Sequence, residues 1–535
     1  MWASLLLLFL VTGGTQAEQK TDAFLFPSED ELFESYLLGE ITYDEYIRLL
    51  DIVTNGVEED MLTLTDELSL ELLEKYFSPD DSLNQDKSEK HSLSSQQLKY
   101  KHSYASYLEE NARSRYQSNF KYSQYNLSVD LTLRREFSGR ERLIHRAVQI
   151  RDVSPAIHEI RIGNISKKFG LGTALGYHGK NVSFSDYLNF ESLLYPDNGG
   201  YNGLYIDSRF DTYRCEILGS LVRDAEYAFS TFGAGLTKQF EQTDISFIPV
   251  VTSVKNRANQ TTVTDYKSSF YLNYTPNRHR FKIETVVGKI KDNSELAIVT
   301  DNKIKRESDK IEFSGWYYSR SYIDLTGGSR TSLMSEKAEI DDVDYSFYTK
   351  RKNQMGMLTK YEREISDSWN VSQSVLYAFK SSDSTELQTF SQIQKSLNKK
   401  LSLYYDFSFR DKARFSMQEG SYFKRNHRFG IKLYTTNSYI RCYMSHEIKT
   451  GEDPVVGLFG EYKLNSQSFG LLHLWMNIGR YNLETKRTDY IYFFIRNKID
   501  LTNWGKIDIK LSHRYGRKST STNSNQITMT FECAI

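Results

Sequence analysis

The sequence has few of the residues and runs that mark several common protein classes. It has three Cys, at Cys215, Cys442 and Cys533, which are too few and too far apart to indicate a disulfide framework or a metal-ligand cluster. It has seven Pro in 535 residues, which suits long hydrogen-bonded strands. Beyond Ala17 no run of 18 or more apolar residues occurs, which argues against helical membrane spans.

The sequence also has no large excess of charge of one sign and no recognisable catalytic, metal-binding or nucleotide-binding motif. Lys and Arg number 68 and Asp and Glu 69, so the net charge gives no argument for nucleic acid. The ten His are scattered without metal-ligand spacing, and Phe169-Gly170-Leu171-Gly172 lacks the third Gly of a dinucleotide loop. Ser445-His446 and Ser512-His513 are adjacent on predicted strands, where neighbours point to opposite faces. We therefore expect no enzyme, no cofactor, no metal and no nucleic-acid partner, with a Ser–His couple between two strands as the enzymatic alternative.

The first 17 residues have the features of an export signal. Leu5 to Val11 form a short apolar core, and Thr15-Gln16-Ala17 is compatible with cleavage before Glu18. The core is too short to span a bilayer as a helix. We expect residues 1–17 to be a signal peptide.

The next hundred residues are of two kinds. Residues 18–77 are acidic and predict a small helical domain, in which Ser28 caps one helix and Thr42 to Glu45 form a capping box. A structural spacer and a domain that docks a partner are both open interpretations of it. Residues 78–117 are rich in Ser, Gln, Lys and Asn, which predicts a polar linker.

From residue 118 to 535 the dominant pattern is alternation with a period of two, typical of strands with two different faces. Residues 401–410 are one example, with apolar side chains at odd positions and mostly polar ones at even positions. The clearest of these strands have roughly nine to eleven residues, the length of a tilted bilayer crossing. Aromatic residues make up 14% of the chain, which suits membrane–water boundaries. The predicted fold is mainly β: a large antiparallel transmembrane β-barrel of about 18–24 strands with a small N-terminal helical domain.

One stretch, residues 164–207, does not alternate and is dense in Gly. Glycine permits tight and left-handed turns, so the stretch predicts a non-alternating insertion in the barrel. If it folds into the lumen, a lumen constriction would involve Lys167, Lys168, Phe169, Gly170 and Gly172. The alternative is an ordinary long surface loop.

Two basic stretches lie around predicted turns. One contains Arg134, Arg135, Arg140, Arg142, Arg146 and Arg151, and the other contains Lys399, Lys400, Arg410, Lys412 and Arg414. They could face anions in the lumen or lipopolysaccharide phosphates. They could equally be wall charges balanced by nearby Asp and Glu.

In its alternation, its aromatic content and its export signal, the chain resembles bacterial outer-membrane β-barrel proteins over residues 119–535. The resemblance implies the bacterial outer membrane, with the N-terminal domain in the periplasm. It also implies outer-membrane lipid, lipopolysaccharide, the barrel assembly machinery and a periplasmic protein as partners. One departure is the end of the chain, Phe531 to Ile535, which lacks the usual terminal aromatic residue.

The chain is more weakly similar to barrels that carry an N-terminal helix-hairpin-helix region. This similarity rests on the order of three features along the chain: a helical segment, an element at Ile160 to Gly172, and a barrel. The paired apolar-Gly-apolar-Gly hairpins are missing, so no DNA-binding residues are carried over. The leading expectation is an outer-membrane channel or transport barrel that passes small polar solutes through a charged lumen. The alternative is a membrane-anchored scaffold whose periplasmic helical domain docks a partner protein.

Overall fold

A computed structural model describes most of the chain from residue 97 onward. The described residues are 97–107, 114–135, 141–176, 201–223, 226–331, 336–349, 351–366, 368–380, 384–412, 422–435, 437–451, 453–466, 470–482, 487–502, 505–515 and 524–534. The predicted signal peptide (1–17) and helical domain (18–77) lie outside them. Within these residues, no helix has the length and apolar character needed to cross a membrane.

Twenty-four strands form one antiparallel sheet that closes on itself. Each strand pairs with the next along the sheet, and the ring closes where β1 pairs with β26, from Lys99 opposite Ala534 to Tyr107 opposite Gln526. A closed ring has no edge strand, so the backbone of every strand has a partner on both sides. The predicted large antiparallel β-barrel is confirmed, at the upper end of the expected strand count.

The barrel strands are β1 (Gln97–Tyr107), β2 (Ser114–Gln124), β3 (Leu127–Arg135), β4 (Glu141–Arg151), β5 (Ile157–Ile165), β6 (Tyr201–Phe210), β7 (Tyr213–Arg223), β8 (Tyr227–Gln239), β9 (Thr243–Asn256), β10 (Thr262–Tyr274), β11 (His279–Ile290), β12 (Asn293–Lys305), β13 (Asp309–Tyr318), β16 (Gln354–Ser366), β17 (Trp369–Lys380), β18 (Ser384–Ser396), β19 (Leu401–Lys412), β20 (Tyr422–Tyr434), β21 (Ser438–Lys449), β22 (Val455–Ser466), β23 (Gly470–Asn482), β24 (Arg487–Thr502), β25 (Gly505–Tyr515) and β26 (Ser524–Ala534). A separate hairpin, β14 (Glu336–Ile340) and β15 (Tyr345–Thr349), lies between β13 and β16 and contains a single 3-10 turn, Asp341–Val343.

Side chains alternate between two faces of the barrel wall. On β8, Phe232 and Leu236 are 54% and 53% exposed, whereas Phe229 and Thr231 on the opposite face are buried. The buried set contacts chain segments folded inside the ring, so it faces the lumen and the exposed apolar set faces outward. The outward set continues around the ring as Ile162, Leu204, Phe247, Phe270, Val287, Phe313, Met357, Tyr377, Ile393, Leu403, Ile431, Met444, Leu458, Met476, Ile495, Leu511 and Met529.

The two ends of the barrel differ in the length of their connections. At one end, which we call the short-turn end, the connections that follow β2, β4, β6 and the other strands running in that direction have two to five residues. At the opposite end they have two to 35, and both 35-residue connections, 166–200 and 319–353, lie there. The barrel begins with β1 and finishes with β26 at the short-turn end. Short turns at one end and long loops at the other are typical of outer-membrane barrels.

The first strand lies in the segment predicted as a linker. The prediction of a polar linker over residues 78–117 is wrong for its last part, because β1 and the start of β2 belong to the barrel, which therefore begins at Gln97 rather than at residue 118. The outward face of β1 carries aromatic and imidazole rings with a single aliphatic side chain, and its inward face is polar, so the composition resembles a linker. The outward residues are Leu98, Tyr100, His102 and Tyr104, opposite Lys99, Lys101, Ser103 and Ala105.

A charge at the centre of the outward apolar face should destabilise the barrel in lipid. Phe232 lies near the middle of β8, so Phe232→Arg is expected to lower the free energy of unfolding by about 2–4 kcal/mol. The measurement is denaturant unfolding in lipid vesicles. Gln242→Arg, in the exposed turn after β8, is the control and should cost less than about 1 kcal/mol. Equal losses for the two variants would contradict an outward face buried in lipid.

Candidate functional site in the barrel lumen

The connection from β5 to β6 turns into the lumen directly after β5. Its described part, residues 166–176, includes Gly170 and Gly172 with φ of +62° and +79°, a region that side chains rarely adopt. The predicted insertion at 164–207 is too long at both ends, because β5 ends at Ile165 and β6 begins at Tyr201. The alternation of β6 is weak in the sequence because the first inward residues of this strand are Tyr201, Gly203 and Tyr205. Tyr201 and Tyr205 are buried there.

A single buried carboxylate holds this inward segment against the wall. Glu284 on β11 is fully buried and accepts backbone N–H bonds from Leu171 (2.7 Å), Thr173 (3.1 Å) and Ala174 (3.3 Å). It also accepts the hydroxyls of Thr173 (3.0 Å) and of Ser269 on β10 (2.7 Å). Successive amides that converge on one anion form a nest, and the left-handed glycines create the curvature that it requires. Five donors compensate the burial of the charge.

The connection from β13 to β16 also turns inward and packs on the first. Tyr322 donates its hydroxyl to the carbonyl of Thr173 at 2.7 Å, and Thr326 donates to the carbonyl of Ala174 at 2.7 Å. Backbone amides continue the contact, from Gly176 to Thr326 at 2.9 Å and from Gly328 to Gly172 at 2.7 Å. We call residues 166–176 and 319–331 together the inward loop pair. Sequence analysis missed the second member, although Gly327-Gly328 was a usable signal.

Hydrogen bonds from charged side chains of the wall fix the second member in place, and an ion pair within the connection supports it. Lys267 on β10 donates to the carbonyl of Ile323 at 2.6 Å and pairs with Asp265 at 2.7 Å, while Glu295 on β12 accepts the Ile323 amide at 2.7 Å. Arg351 pairs with Asp324 at 2.7 Å, and both side chains are buried. These buried charges are matched with opposite charges and hydrogen bonds, which is the condition for burying them without a large penalty.

An apolar core lies between the inward loop pair and the wall. Phe169, Leu171, Ala174 and Leu175 are buried in one cluster with side chains from β5 to β18. Leu175 fits where Gly233 leaves room, since a Cβ at Gly233 would lie 2.3 Å from the Leu175 Cδ2 atom. Such an apolar inner wall is typical of a filled region of a barrel rather than of an open water channel.

Tyr322, the tyrosine that joins the two loops, is buried beside Asp324. Burial, together with the charge of Asp324, raises the pKa of the Tyr322 phenol well above its usual range. The phenol therefore stays protonated in any physiological medium and remains a donor to Thr173. The contact between the two loops does not depend on pH through this group.

The five residues singled out from the sequence lie in the inward loop pair and play different parts. Lys167 pairs with Glu159 at 2.9 Å and lies over the Tyr205 ring at 4.7 Å. Phe169 is 1% exposed and packs into the wall, whereas Lys168 is exposed. Gly170 and Gly172 form the turn around Glu284. Sequence reasoning identified neither Glu284 nor its role, because one Glu among many on a strand has no local signature.

The wall opposite the inward loop pair, on β19 to β25, has a different character. We call it the aromatic–basic wall, and its inward-facing members are Tyr404, Arg428, Lys432, Tyr439, Arg441, Tyr443, Phe459, Lys463, Trp475, Tyr492, Phe494 and Lys510. The rings pack on one another, for example Tyr443 on Phe459 at 4.4 Å and Trp475 on Phe494 at 5.6 Å. The described residues contain no cluster of three or more His, Cys, Asp or Glu suited to a metal.

Removing the carboxylate charge at Glu284 should release the inward loop pair. In Glu284→Gln the amide nitrogen faces backbone donors, so hydrogen bonds to a charged acceptor worth about 1.5–3 kcal/mol each are weakened. Hydrogen exchange at Leu171, Thr173 and Ala174 is expected to speed up by about 100-fold or more. Glu312→Gln, an inward carboxylate that pairs with Lys303 on β12, is the control and should leave these three amides protected. Unchanged exchange in Glu284→Gln would show that the carboxylate does not hold the segment.

No family model matches the sequence, and no curated protein matches it. Solved structures with a similar backbone include the P pilus usher (PapC) translocation pore, 8% identical, covering 82% of this chain and 99% of that chain at a TM-score of 0.44. The siderophore receptor PirA from Pseudomonas aeruginosa is 7% identical, covering 83% and 81% at 0.45. The ferric-catecholate import receptor Fiu from E. coli K12 is 7% identical, covering 82% of each chain at 0.42. At such values these similarities carry no argument about function, and the barrel is established by its own strand pairings.

Proposed function

We propose that the chain is a transport barrel of the bacterial outer membrane, through which small polar solutes pass by a charged lumen. The observation that carries the proposal is the division of the wall into two faces within a closed ring. The outward face is apolar around the barrel, as lipid requires, and the inward face of β19 to β25 carries charged side chains that require water. A wet inward face in a closed ring provides a path for solutes across the bilayer.

The lengths of the connections support an orientation. By the rule for outer-membrane barrels, the short-turn end would face the periplasm, and the inward loop pair would enter the lumen from the outside. The segment before β1 leaves from the short-turn end, so the predicted helical domain at 18–77 would lie in the periplasm. Lipopolysaccharide would then surround the end with the long connections, and the barrel assembly machinery would act on the nascent strands.

The inward loop pair is the proposed constriction. Lys167 and Phe169 fasten the segment to the wall, and Gly170 and Gly172 shape its turn around Glu284. Lys168 is the exposed member of this set and is proposed to face the water path. Selection by size would follow from how much of the lumen this pair fills.

The second candidate function is a membrane-anchored scaffold whose periplasmic helical domain docks a partner protein. It is favoured by the position of β1, because residues 18–96, between the predicted signal peptide and β1, would lie on the proposed periplasmic side. In this case the barrel would serve as the anchor, and the inward loop pair would be a permanent filling rather than a constriction.

Conductance separates the two functions. The purified chain in planar lipid bilayers is expected to give stable steps of current, and a variant without residues 18–96 should conduct as well. Glu284→Gln, which frees the inward segment, is expected to raise the single-channel conductance by about twofold, while Glu312→Gln should leave it near the wild-type value. A folded barrel that conducts in none of these forms would exclude the transport function and leave the scaffold.

A further inference from the structure

The inward charges are distributed unevenly around the lumen. Among the described side chains of β6 to β13, the inward face has eight cations and eight anions. The cations are Arg209, Arg214, Lys267, Arg280, Lys282, Lys303, Lys305 and Lys310, and the anions are Asp207, Glu216, Asp244, Asp265, Glu284, Glu295, Asp301 and Glu312. This side of the lumen is therefore balanced.

The opposite side is strongly basic. Among the described side chains of β19 to β25, the inward face has eleven cations and four anions, an excess of seven positive charges. The cations are Arg410, Lys424, Arg428, Lys432, Arg441, Lys449, Lys463, Arg496, Lys498, Lys506 and Lys510, and the anions are Asp406, Glu447, Glu461 and Asp508. The whole chain has a net charge of −1, so this excess belongs to the wall and not to the composition.

Aromatic rings hold several of these cations in place. Arg441 lies over Tyr404 and Tyr443 at 5.5 Å, and Lys432 lies over Tyr404 at 5.0 Å. Lys510 lies over Phe494 at 4.5 Å. A carboxylate partner would hold a cation equally well but would cancel its field in the lumen. A ring stabilises the cation through its quadrupole and leaves the net positive charge unchanged.

Four of the rings are covered by wall side chains, and Tyr439, Tyr443 and Trp475 are half-buried. Tyr404 is 4% exposed, Phe494 is 3% exposed and Phe459 is 8% exposed. An uncharged solute that stacks on aromatic rings, such as a neutral sugar, would find little ring surface here. Among the cations, Lys506 is exposed and five others on this wall, Arg428, Lys432, Arg441, Lys498 and Lys510, are half-buried.

Three of the cations form a row along the length of β20, which runs across the barrel wall. Lys424, Arg428 and Lys432 lie on the inward face of β20 at every fourth residue. At the rise of a strand, this places them about 13 Å apart along β20. A series of separated positive sites lets an anion pass from one to the next without being held too tightly at any of them.

We propose that the aromatic–basic wall selects small anionic solutes, carboxylates and phosphates, and that they cross the lumen along β19 to β25. The inference rests on the proposed transport function and names its substrate class. The inward loop pair packs on the balanced side, with hydrogen bonds to β6, β10, β11 and β12, so a solute that passes beside it faces the basic wall. Positive potential along a water-filled path raises the local concentration of anions and lowers that of cations.

The test is the zero-current potential of the full chain in planar bilayers under a tenfold KCl gradient. Chloride is expected to be more permeant than potassium by about threefold or more, and a potassium phosphate gradient should give the same sign of selectivity. The triple variant Arg428→Gln, Lys432→Gln, Arg441→Gln should conduct with the anion preference lowered by at least about half.

A charge-conserving triple variant, Arg428→Lys, Lys432→Arg, Arg441→Lys, is the matched control and should keep the wild-type selectivity. Heat-dependent migration on a denaturing gel shows that each variant is folded before it is measured. A conducting wild-type barrel with no anion preference would overturn the inference and leave the transport function. An equal change of selectivity in the Gln variant and the control would also overturn it, because charge would not be the cause. A folded barrel that conducts neither as the wild type nor as Glu284→Gln nor without residues 18–96 would overturn both.

Discussion

The constraint on which the rest of the structure depends is that each strand needs a backbone partner on both sides. An open sheet of 24 strands would leave two edges of unpaired amides and carbonyls, which lipid cannot solvate. Pairing of β1 with β26 removes both edges. Once the ring is closed, alternation divides every strand into an outward and an inward side chain set, and the lumen becomes the place where charged residues and long connections can be accommodated.

The lumen is organised as two unlike halves. On the side of β6 to β13, buried carboxylates and ammonium groups are used to bind the inward loop pair, with Glu284 accepting three backbone amides and Lys267 bonding a carbonyl. Each charge there has an opposite charge or several dipoles close by. On the side of β19 to β25, four cations pair with carboxylates and four others lie over rings. Cations outnumber anions among the described side chains of this side, so the wall keeps a net positive charge. The same residue types are thus balanced in charge on one side and in excess as cations on the other.

The sequence alone was sufficient to predict the barrel wall, but it was not sufficient to predict which segments and side chains lie in the lumen. Strands such as β19 show apolar and mostly polar residues in strict alternation, because lipid and water act on its two faces. β1 was missed because its outward face has rings of moderate polarity. β6 was missed in part because its inward face begins with Tyr201, Gly203 and Tyr205, which do not show the polar side of an alternating strand, and the two tyrosines contact the inward loop pair.

The candidate site was only partly accessible from sequence for a different reason. The glycines at 170 and 172 marked a turn, but its anchor, Glu284, is more than a hundred residues away and meets the turn only after the ring has formed. Likewise, the basic wall takes its inward cations from six strands, and β20 is the one on which three of them fall. The excess of positive charge on this wall arises because closure of the ring places cations from several strands side by side. It is therefore a property of the closed barrel and not of any local segment.

The closing pair of strands has a further consequence for how the barrel forms. Neighbouring strands elsewhere are joined by connections of two to 35 residues, but Lys99 and Ala534 stand at opposite limits of the described chain. The last pairing therefore joins the strands of greatest sequence separation in the sheet, and it cannot occur before the final strand is available. Until β26 has paired, the sheet has two edges with unpaired backbone groups. β1 is the strand that remains longest without its second neighbour. A polar, aromatic first strand of low hydropathy is well suited to that delay, because it is less prone to pair with the wrong chain.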